Sequence, residues 1–176
     1  EEFKENLSER TPVNQSDYDL AASIMRSVRD HKGAQFVLSG DGWAESSIFW
    51  TDENTGVRCR CRPDWIQHHD DAPILVDLKT TRDASHLGFA REAMRFGYYQ
   101  QAAFYMDGAE AYFGVRPKAF VIVAVEKAAP YAVQCFMIGE DSLSAGRTDY
   151  RGALTTYAEC YKNQRWPGYG DEVTEI

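Results

Sequence analysis

The sequence predicts an α/β (α+β) fold in which a mixed sheet of about five strands is flanked by helices. Side chains alternate with period two at 43–51, 57–66 and 73–81, and two strongly apolar segments follow at 118–125 and 131–138. Helical periodicity occurs between these two groups and near each end of the chain. We therefore expect a helix, a three-stranded meander, helices, two strands and a last helix.

The predicted helices have recognisable boundaries. Ser16 or Asp17 can cap the first helix, Gly97 interrupts the central helical region, and Asp141 or Ser142 can start the last helix. Because helices connect the third and fourth strands, that connection permits a right-handed crossover and a parallel strand pair. The expected helices, with approximate bounds, are 18–31, 84–96, 98–111 and 142–164.

The strands at 57–66 and 73–81 differ in character. The first has a basic face that ends in Asp64, and Pro63 predicts an interruption of the strand pairing because proline lacks an N–H donor. The second carries apolar residues on both faces, which is typical of a central strand. A central strand that also contains Asp77 and Lys79 is costly unless these charges serve each other or a ligand.

Length and composition bound the function. The 176 residues fit one domain, and the missing initial methionine leads us to expect a fragment, with 1–176 forming a single domain that lacks upstream residues. A net charge of −8 argues against a nucleic-acid coat protein, but an enzyme acting on nucleic acid can be basic along one groove alone. No run of eighteen apolar residues occurs, so no membrane span is expected.

Cysteine and histidine spacing does not favour a zinc site. The four cysteines lack C-x-x-C spacing, and we expect reduced, mostly buried thiols in a cytoplasmic protein. Adjacent His68 and His69 lie in a polar loop, where solvation is the expected state and metal binding the alternative. His31, near the end of the first helix, is expected to be a helix-end group.

The strongest functional pattern combines Asp64, Asp77 and Lys79. Asp77 and Lys79 share one strand face, and Asp64 is expected beside them on the neighbouring strand. Phosphodiester hydrolysis needs an activated water and neutralised phosphate charge, and Mg²⁺ or Mn²⁺ supplies both while preferring carboxylate, carbonyl and water ligands. The Leu78 carbonyl is a candidate third ligand. A buried salt-bridge network without a metal is the alternative.

These residues resemble the PD-(D/E)-x-K nuclease superfamily, with its restriction-endonuclease-like core. The closest resemblance is to the exonuclease VIII (RecE)-like phage exonuclease branch, related to the RecB nuclease domain and lambda exonuclease. The resemblance rests on RPD at 62–64, DLK at 77–79 and Gln-x-x-x-Tyr at 101–105, within stretches that span most of the chain. The Gln-x-x-x-Tyr spacing places both side chains on one helical face.

The resemblance implies a role for each matching residue. Asp64 and Asp77 correspond to metal-binding acids, Lys79 to the catalytic lysine, Gln101 to a group that positions the phosphate or the lysine, and Glu45 to an acid of the first strand. The implied DNA contacts are Thr80, Thr81, Arg62 and Tyr105, although Tyr105 also suits ordinary helix packing; Arg58 and Arg60 suit DNA or plain surface. The branch also implies a histidine ligand on an early helix; His31 matches poorly, so we expect that ligand upstream of Glu1.

The implied reaction is Mg²⁺- or Mn²⁺-dependent hydrolysis of double-stranded DNA from 5′ ends, which leaves 3′ overhangs for recombination. The same branch implies a homo-oligomeric ring, a RecT-like single-strand annealing partner and a cytoplasmic bacterial or phage-encoded protein. Two alternatives remain: an endonuclease or resolvase of the same fold, and a catalytically degenerate nuclease fold that binds DNA or assembles with partners.

Overall fold

A computed structural model describes residues 12–69 and 71–170. The helices are α1 (Gln15–Asp30), α2 (Lys32–Leu38), α3 (His86–Phe96), α4 (Tyr98–Phe113) and α5 (Glu140–Asn163). The strands are β1 (Gly42–Ala44), β2 (Ile48–Thr51), β3 (Arg58–Cys61), β4 (Trp65–Gln67), β5 (Ile74–Thr81), β6 (Ala119–Glu126) and β7 (Val133–Met137).

The main sheet has five strands in the order β1-β4-β5-β6-β7. The pair β5–β6 is parallel and the other neighbours are antiparallel, so the sheet is mixed. The crossover between β5 and β6 consists of α3 and α4, as the helical periodicity predicts. The α+β fold class is therefore confirmed.

The predicted three-stranded meander is wrong in detail, because its first two strands each break in two. The segment 43–51 divides into β1 and β2 around Glu45, whose φ of 50° lies in the left-handed region and cannot continue a strand. The segment 57–66 divides into β3 and β4 around the buried Pro63. As a result β2 and β3 form a separate two-stranded sheet.

Two apolar layers cover the main sheet. On one face, α3, α4 and α5 pack on side chains such as Leu75, Phe120 and Ile122. On the other face, α1 and α2 pack on the valines of β5 and β6, among them Val76 and Val123. Full burial of such a side chain contributes about 1.5–3 kcal/mol. Because side chains alternate along a strand, Asp77 lies on the same face as Leu75 and is covered by α4.

The opposite face holds His31, which ends α1 and begins α2. Its Nδ1 accepts a hydrogen bond from the Ala34 N–H at 3.1 Å and lies 3.8 Å from the Cys135 Sγ. Cys135 packs with the valine layer, so His31 is a helix cap on the side of the sheet away from Asp77. In the described ranges, no helix is both long and apolar enough to cross a bilayer.

Candidate active site

The site forms where β5 extends beyond its neighbour β4. The last residue pair between these strands is Trp65 with Val76, and β5 continues to Thr81. Beyond that pair, the edge of β5 faces Asp64, where the chain turns between β3 and β4. Backbone groups of β5 that a longer β4 would have paired are therefore available to side chains or ligands.

Asp64 occupies this open edge. Its Oδ2 accepts a hydrogen bond from the Leu78 N–H at 2.7 Å. The Asp64 backbone carbonyl accepts from the Glu45 N–H at 3.0 Å, which holds the turn in place. Because the N–H and C=O of one strand residue point to the same side, the Leu78 carbonyl faces the same gap. The structure thus brings Asp64 to β5 although Asp64 itself is outside a strand, contrary to the prediction.

Asp77, Lys79 and Gln101 meet on the face of β5 covered by α4. The Gln101 amide donates to Asp77 Oδ1 at 2.8 Å, and Lys79 Nζ lies 2.6 Å from Asp77 Oδ2. Asp77 Oδ2 is buried, with the Lys79 ammonium in contact with it. Asp77 is 3% exposed, whereas the Lys79 side chain is 23% exposed and reaches solvent.

The pKa of the buried Asp77 carboxyl is subject to opposing influences from its neighbours. Burial raises the pKa of the Asp77 carboxyl, and the negative charge of Asp64 adds to this rise. Lys79 and Gln101 act in the opposite direction because both stabilise the ionised form. Two neighbouring carboxylates that repel each other, one of them buried, are an arrangement that a divalent cation would relieve.

The available oxygen ligands suit a hard cation, but they are few. Asp64, Asp77 and the Leu78 carbonyl provide oxygen ligands of the kind that Mg²⁺ and Mn²⁺ prefer. Within residues 12–69 and 71–170, no group of three or more His, Cys, Asp or Glu side chains could hold a metal ion. Mg²⁺ commonly retains several waters and uses one or two carboxylates, so the residues present fit such an ion.

Glu45 and Arg62 lie beside the site but bind each other. Arg62 Nε is 3.0 Å from Glu45 Oε2, and both side chains are more than half exposed. Glu45 is not in a strand, since β1 ends at Ala44. Its carboxylate is directed to Arg62, which corrects the expectation that Glu45 faces the site from a strand.

One of the predicted DNA contacts, Thr81, is corrected because its side chain is buried inside the protein, and Tyr105 is partly buried against the core. Thr81 is 2% exposed, donates to Glu92 Oε2 at 2.8 Å and accepts from the Asp83 N–H at 3.2 Å. Tyr105 packs on the core, edge-on to Phe120. Thr80, in contrast, is exposed on the open part of β5.

The loop histidines pack on aromatic rings. His68 lies edge-on to Trp43 with ring centres 4.1 Å apart, and His69 lies 6.4 Å from Phe36. They are outside the carboxylate cluster. Asp70, the next residue of that loop, is outside the described residues.

Tyr98 is a site neighbour that sequence spacing did not place. Its ring lies 4.9 Å from Lys79 Nζ, a distance suited to a cation–π contact. The signal was present in the sequence, because Tyr98 directly follows the helix-breaking Gly97 and begins the helix that carries Gln101. The contact between Tyr98 and Lys79 follows only once the start of α4 is known to lie over the end of β5.

Comparisons with known proteins bear on the family and the fold of the chain. The family described as "PDDEXK-like domain of unknown function (DUF3799)" matches residues 1–175. A crystal structure described as "Putative exonuclease" from Eubacterium rectale is similar, with a TM-score of 0.68 and 15% identity over 94% of this chain and 62% of that one. The structure described as SSO0001 has a TM-score of 0.45 and 18% identity, over 84% of this chain and 68% of that chain.

A search among curated proteins finds no match. The likeness to the Eubacterium rectale structure shows the fold, and this chain spans 62% of that structure's length. The family match extends over nearly the whole sequence and is independent of that likeness. The chain therefore belongs to the family of PDDEXK-like domains, within the PD-(D/E)xK nuclease superfamily.

Proposed function

We propose that this domain is a metal-dependent deoxyribonuclease that hydrolyses DNA phosphodiester bonds. The observation that carries the proposal is the convergence of Asp64, Asp77, Lys79 and Gln101 where β5 extends beyond β4. Superfamily members generally use divalent metal ions. A buried ion pair would explain Asp77 and Lys79 alone, but it would not explain a second carboxylate held against the same stretch of β5.

Each residue has a role in this proposal. Asp64 and Asp77, with the Leu78 carbonyl, would hold the ion, which when bound activates water and neutralises phosphate charge. Lys79 reaches solvent from the edge of the site, so its ammonium can contact the phosphate and stabilise developing charge. Gln101 fixes the orientation of the Asp77 carboxylate through its 2.8 Å hydrogen bond. The Leu78 N–H does the same for Asp64.

The finer proposal is a 5′-to-3′ double-strand exonuclease that generates 3′ overhangs for recombination. It rests on the resemblance of the motifs to the RecE-like branch, and it is supported by the similarity to the Eubacterium rectale structure described as "Putative exonuclease". A ring-shaped homo-oligomer and a RecT-like annealing partner belong to the same proposal. Substrate polarity and assembly would be properties of the whole protein in which this domain acts.

A degenerate nuclease fold is the second candidate, and one observation favours it. Asp64 and Asp77 are the two acidic side chains at the site, and across the described ranges no group of three or more His, Cys, Asp or Glu side chains could hold a metal ion. In this case the domain would bind DNA or partners without cleaving. An endonuclease or resolvase, the remaining alternative, would use the same residues on a different substrate.

Incubation of the protein with linear and covalently closed circular duplex DNA, with and without Mg²⁺ or Mn²⁺, separates these functions. The proposal expects mononucleotides or short products from linear DNA, with the closed circle intact. Nicked or linearised circles would identify an endonuclease. Retained DNA binding without any product, with either ion, would replace the nuclease by the degenerate module.

A further inference from the structure

An exposed aromatic ring is stacked beside the proposed catalytic lysine. Phe96, the last residue of α3, is 57% exposed, and its ring stacks on Tyr98 with centres 5.8 Å apart and planes 24° apart. Tyr98 in turn lies 4.9 Å from Lys79 Nζ. Two direct contacts therefore connect the proposed catalytic lysine to an aromatic side chain that is more than half exposed.

The backbone at Gly97 creates this arrangement. Side chains two positions apart in a continuous helix point to different sides and do not meet. Gly97 has φ 67° and ψ 31°, so it ends α3 and starts α4 in the left-handed conformation. The break rotates one helix relative to the other, and Phe96 and Tyr98 then stack face to face.

An arginine contacts the ring. Arg95 lies over Phe96, with its Cζ 5.4 Å from the ring centre. Arg95 forms no ion pair with another residue of the described ranges. The protein has a net charge of −8, so an arginine without an ion-pair partner next to an exposed ring stands out from the average surface.

The combination matches a nucleic-acid base better than it matches an apolar protein partner. Exposed Met94, on the same helix, would suit either occupant. A cation beside a flat aromatic face, within two contacts of a group that binds phosphate, is a feature of single-strand binding surfaces, where bases stack on aromatic rings and basic groups contact the backbone. A base on Phe96 would take the place of the Arg95 guanidinium, which could then contact a phosphate.

We propose that Phe96 is the stacking platform for an unpaired DNA base adjacent to the phosphate contacted by Lys79. The inference rests on the proposed function and deepens it, because it requires the DNA end to be unpaired at the site. Tyr98 supports the Phe96 ring from the side of the lysine. Base-to-ring stacking tolerates any sequence, so the platform would hold a strand terminus without selecting a base.

The test uses DNA hairpins with short unpaired 5′ or 3′ ends that carry 2-aminopurine, whose fluorescence is quenched by stacking. The measurement is made in EDTA, which removes the divalent metal needed for cleavage, so that binding alone is observed. We expect quenching with at least one of the two ends. Phe96→Ala should abolish the quenching and weaken binding of that hairpin about 5- to 150-fold, the range measured for removing one stacking ring.

Matched variants make the result specific. Phe96→Trp should restore both signals, and Phe96→Leu, which keeps an apolar side chain without a ring, should not. Met94→Ala removes a similarly exposed apolar group from the same helix and should change neither signal. Because Phe96 is mostly exposed, none of these changes should unfold the chain.

Absence of quenching with both ends, or quenching that persists in Phe96→Ala, would overturn the inference. An abasic residue in place of 2-aminopurine provides a second criterion: Phe96→Ala must weaken binding of the base-containing end and leave the abasic end unaffected. If this criterion is not met but the wild-type protein cleaves DNA, the stacking platform alone is rejected. If the wild-type protein does not cleave DNA, the nuclease proposal is rejected, whatever the fluorescence shows.

Discussion

Replacing Asp77 by asparagine should abolish the stabilisation of the protein by Mg²⁺ or Mn²⁺. An ion that binds the folded state alone stabilises it by about 2.7 kcal/mol at a hundredfold excess over its dissociation constant. For a domain of this size about 1 kcal/mol shifts Tm by about 2–4 °C, so the wild type should gain about 5–11 °C. The variant keeps an Oδ1 acceptor for Gln101 but loses one of the two carboxylates, so it should gain almost nothing.

The same substitution should change the pH dependence of stability without metal. The pKa of Asp77 in the folded state is raised above its ordinary value of 3.8. Between pH 3.8 and the folded-state pKa, the folded state therefore binds more protons than the unfolded state. Stability from this group is therefore greatest at low pH and falls as pH rises through the folded-state pKa. Asp77→Asn should lack this fall, while losing the Lys79 ion pair.

Thermal unfolding of both proteins, in EDTA across acidic and neutral pH and then with increasing metal, measures both effects. Asp71→Asn is the matched control, because Asp71 is an exposed aspartate 3.1 Å from Lys118 and outside the carboxylate cluster. It should respond to metal as the wild type does. Equal metal-induced shifts in Asp77→Asn and the wild type would refute the assignment of Asp77 as a ligand.

The remaining predictions concern the frame of the site and its surroundings. Gly97→Ala should lower the free energy of unfolding by about 1–2 kcal/mol in urea denaturation, because a Cβ is disfavoured at φ 67°; an unchanged midpoint would show that the turn relaxes. Asp107→Ala should cost about 2–3 kcal/mol by the same assay, since it leaves the two-pronged Arg147 contact without an acceptor, and a loss under 0.5 kcal/mol would contradict this. His68→Ala and His69→Ala should leave metal-induced stabilisation intact, and loss of it would relocate the metal site.

The sheet and the helices could be predicted because their patterns are local. Alternation over eight residues identifies β5, a continuous apolar run identifies β6, and the period of 3.6 together with Gly97 locates α3 and α4. Pro63 predicted an interruption of the strand pairing, whereas the break at Glu45 was harder because period-two alternation continues through it. It is the left-handed Glu45 and the missing N–H of Pro63 that redirect the chain. The five-residue apolar segment at 34–38 is too short to reveal its helical period.

The candidate site was predictable where residues share an element or a motif. Asp77 and Lys79 are two positions apart on one strand, which alone places them together. Asp64 lies at the open edge of β5 because β4 begins only at Trp65, opposite Val76. No local sequence pattern determines where β4 begins. Thr81 illustrates the opposite error: alternation places it on the face of Asp77 and Lys79, which suggested a DNA contact, but α3 packs over it and Glu92 accepts a hydrogen bond from its hydroxyl. Long-range packing decided both outcomes.

The central claim is that Asp77 and Lys79 carry out metal-dependent cleavage of DNA. The most direct measurement compares single-turnover cleavage of linear duplex DNA by the wild type, Asp77→Ala and Lys79→Ala in saturating Mg²⁺ or Mn²⁺, with folding verified by circular dichroism. We predict that each variant remains folded and loses at least about 10²-fold in rate, the loss expected when one group that stabilises the transition state is removed. Cleavage by either folded variant at near the wild-type rate would contradict the account.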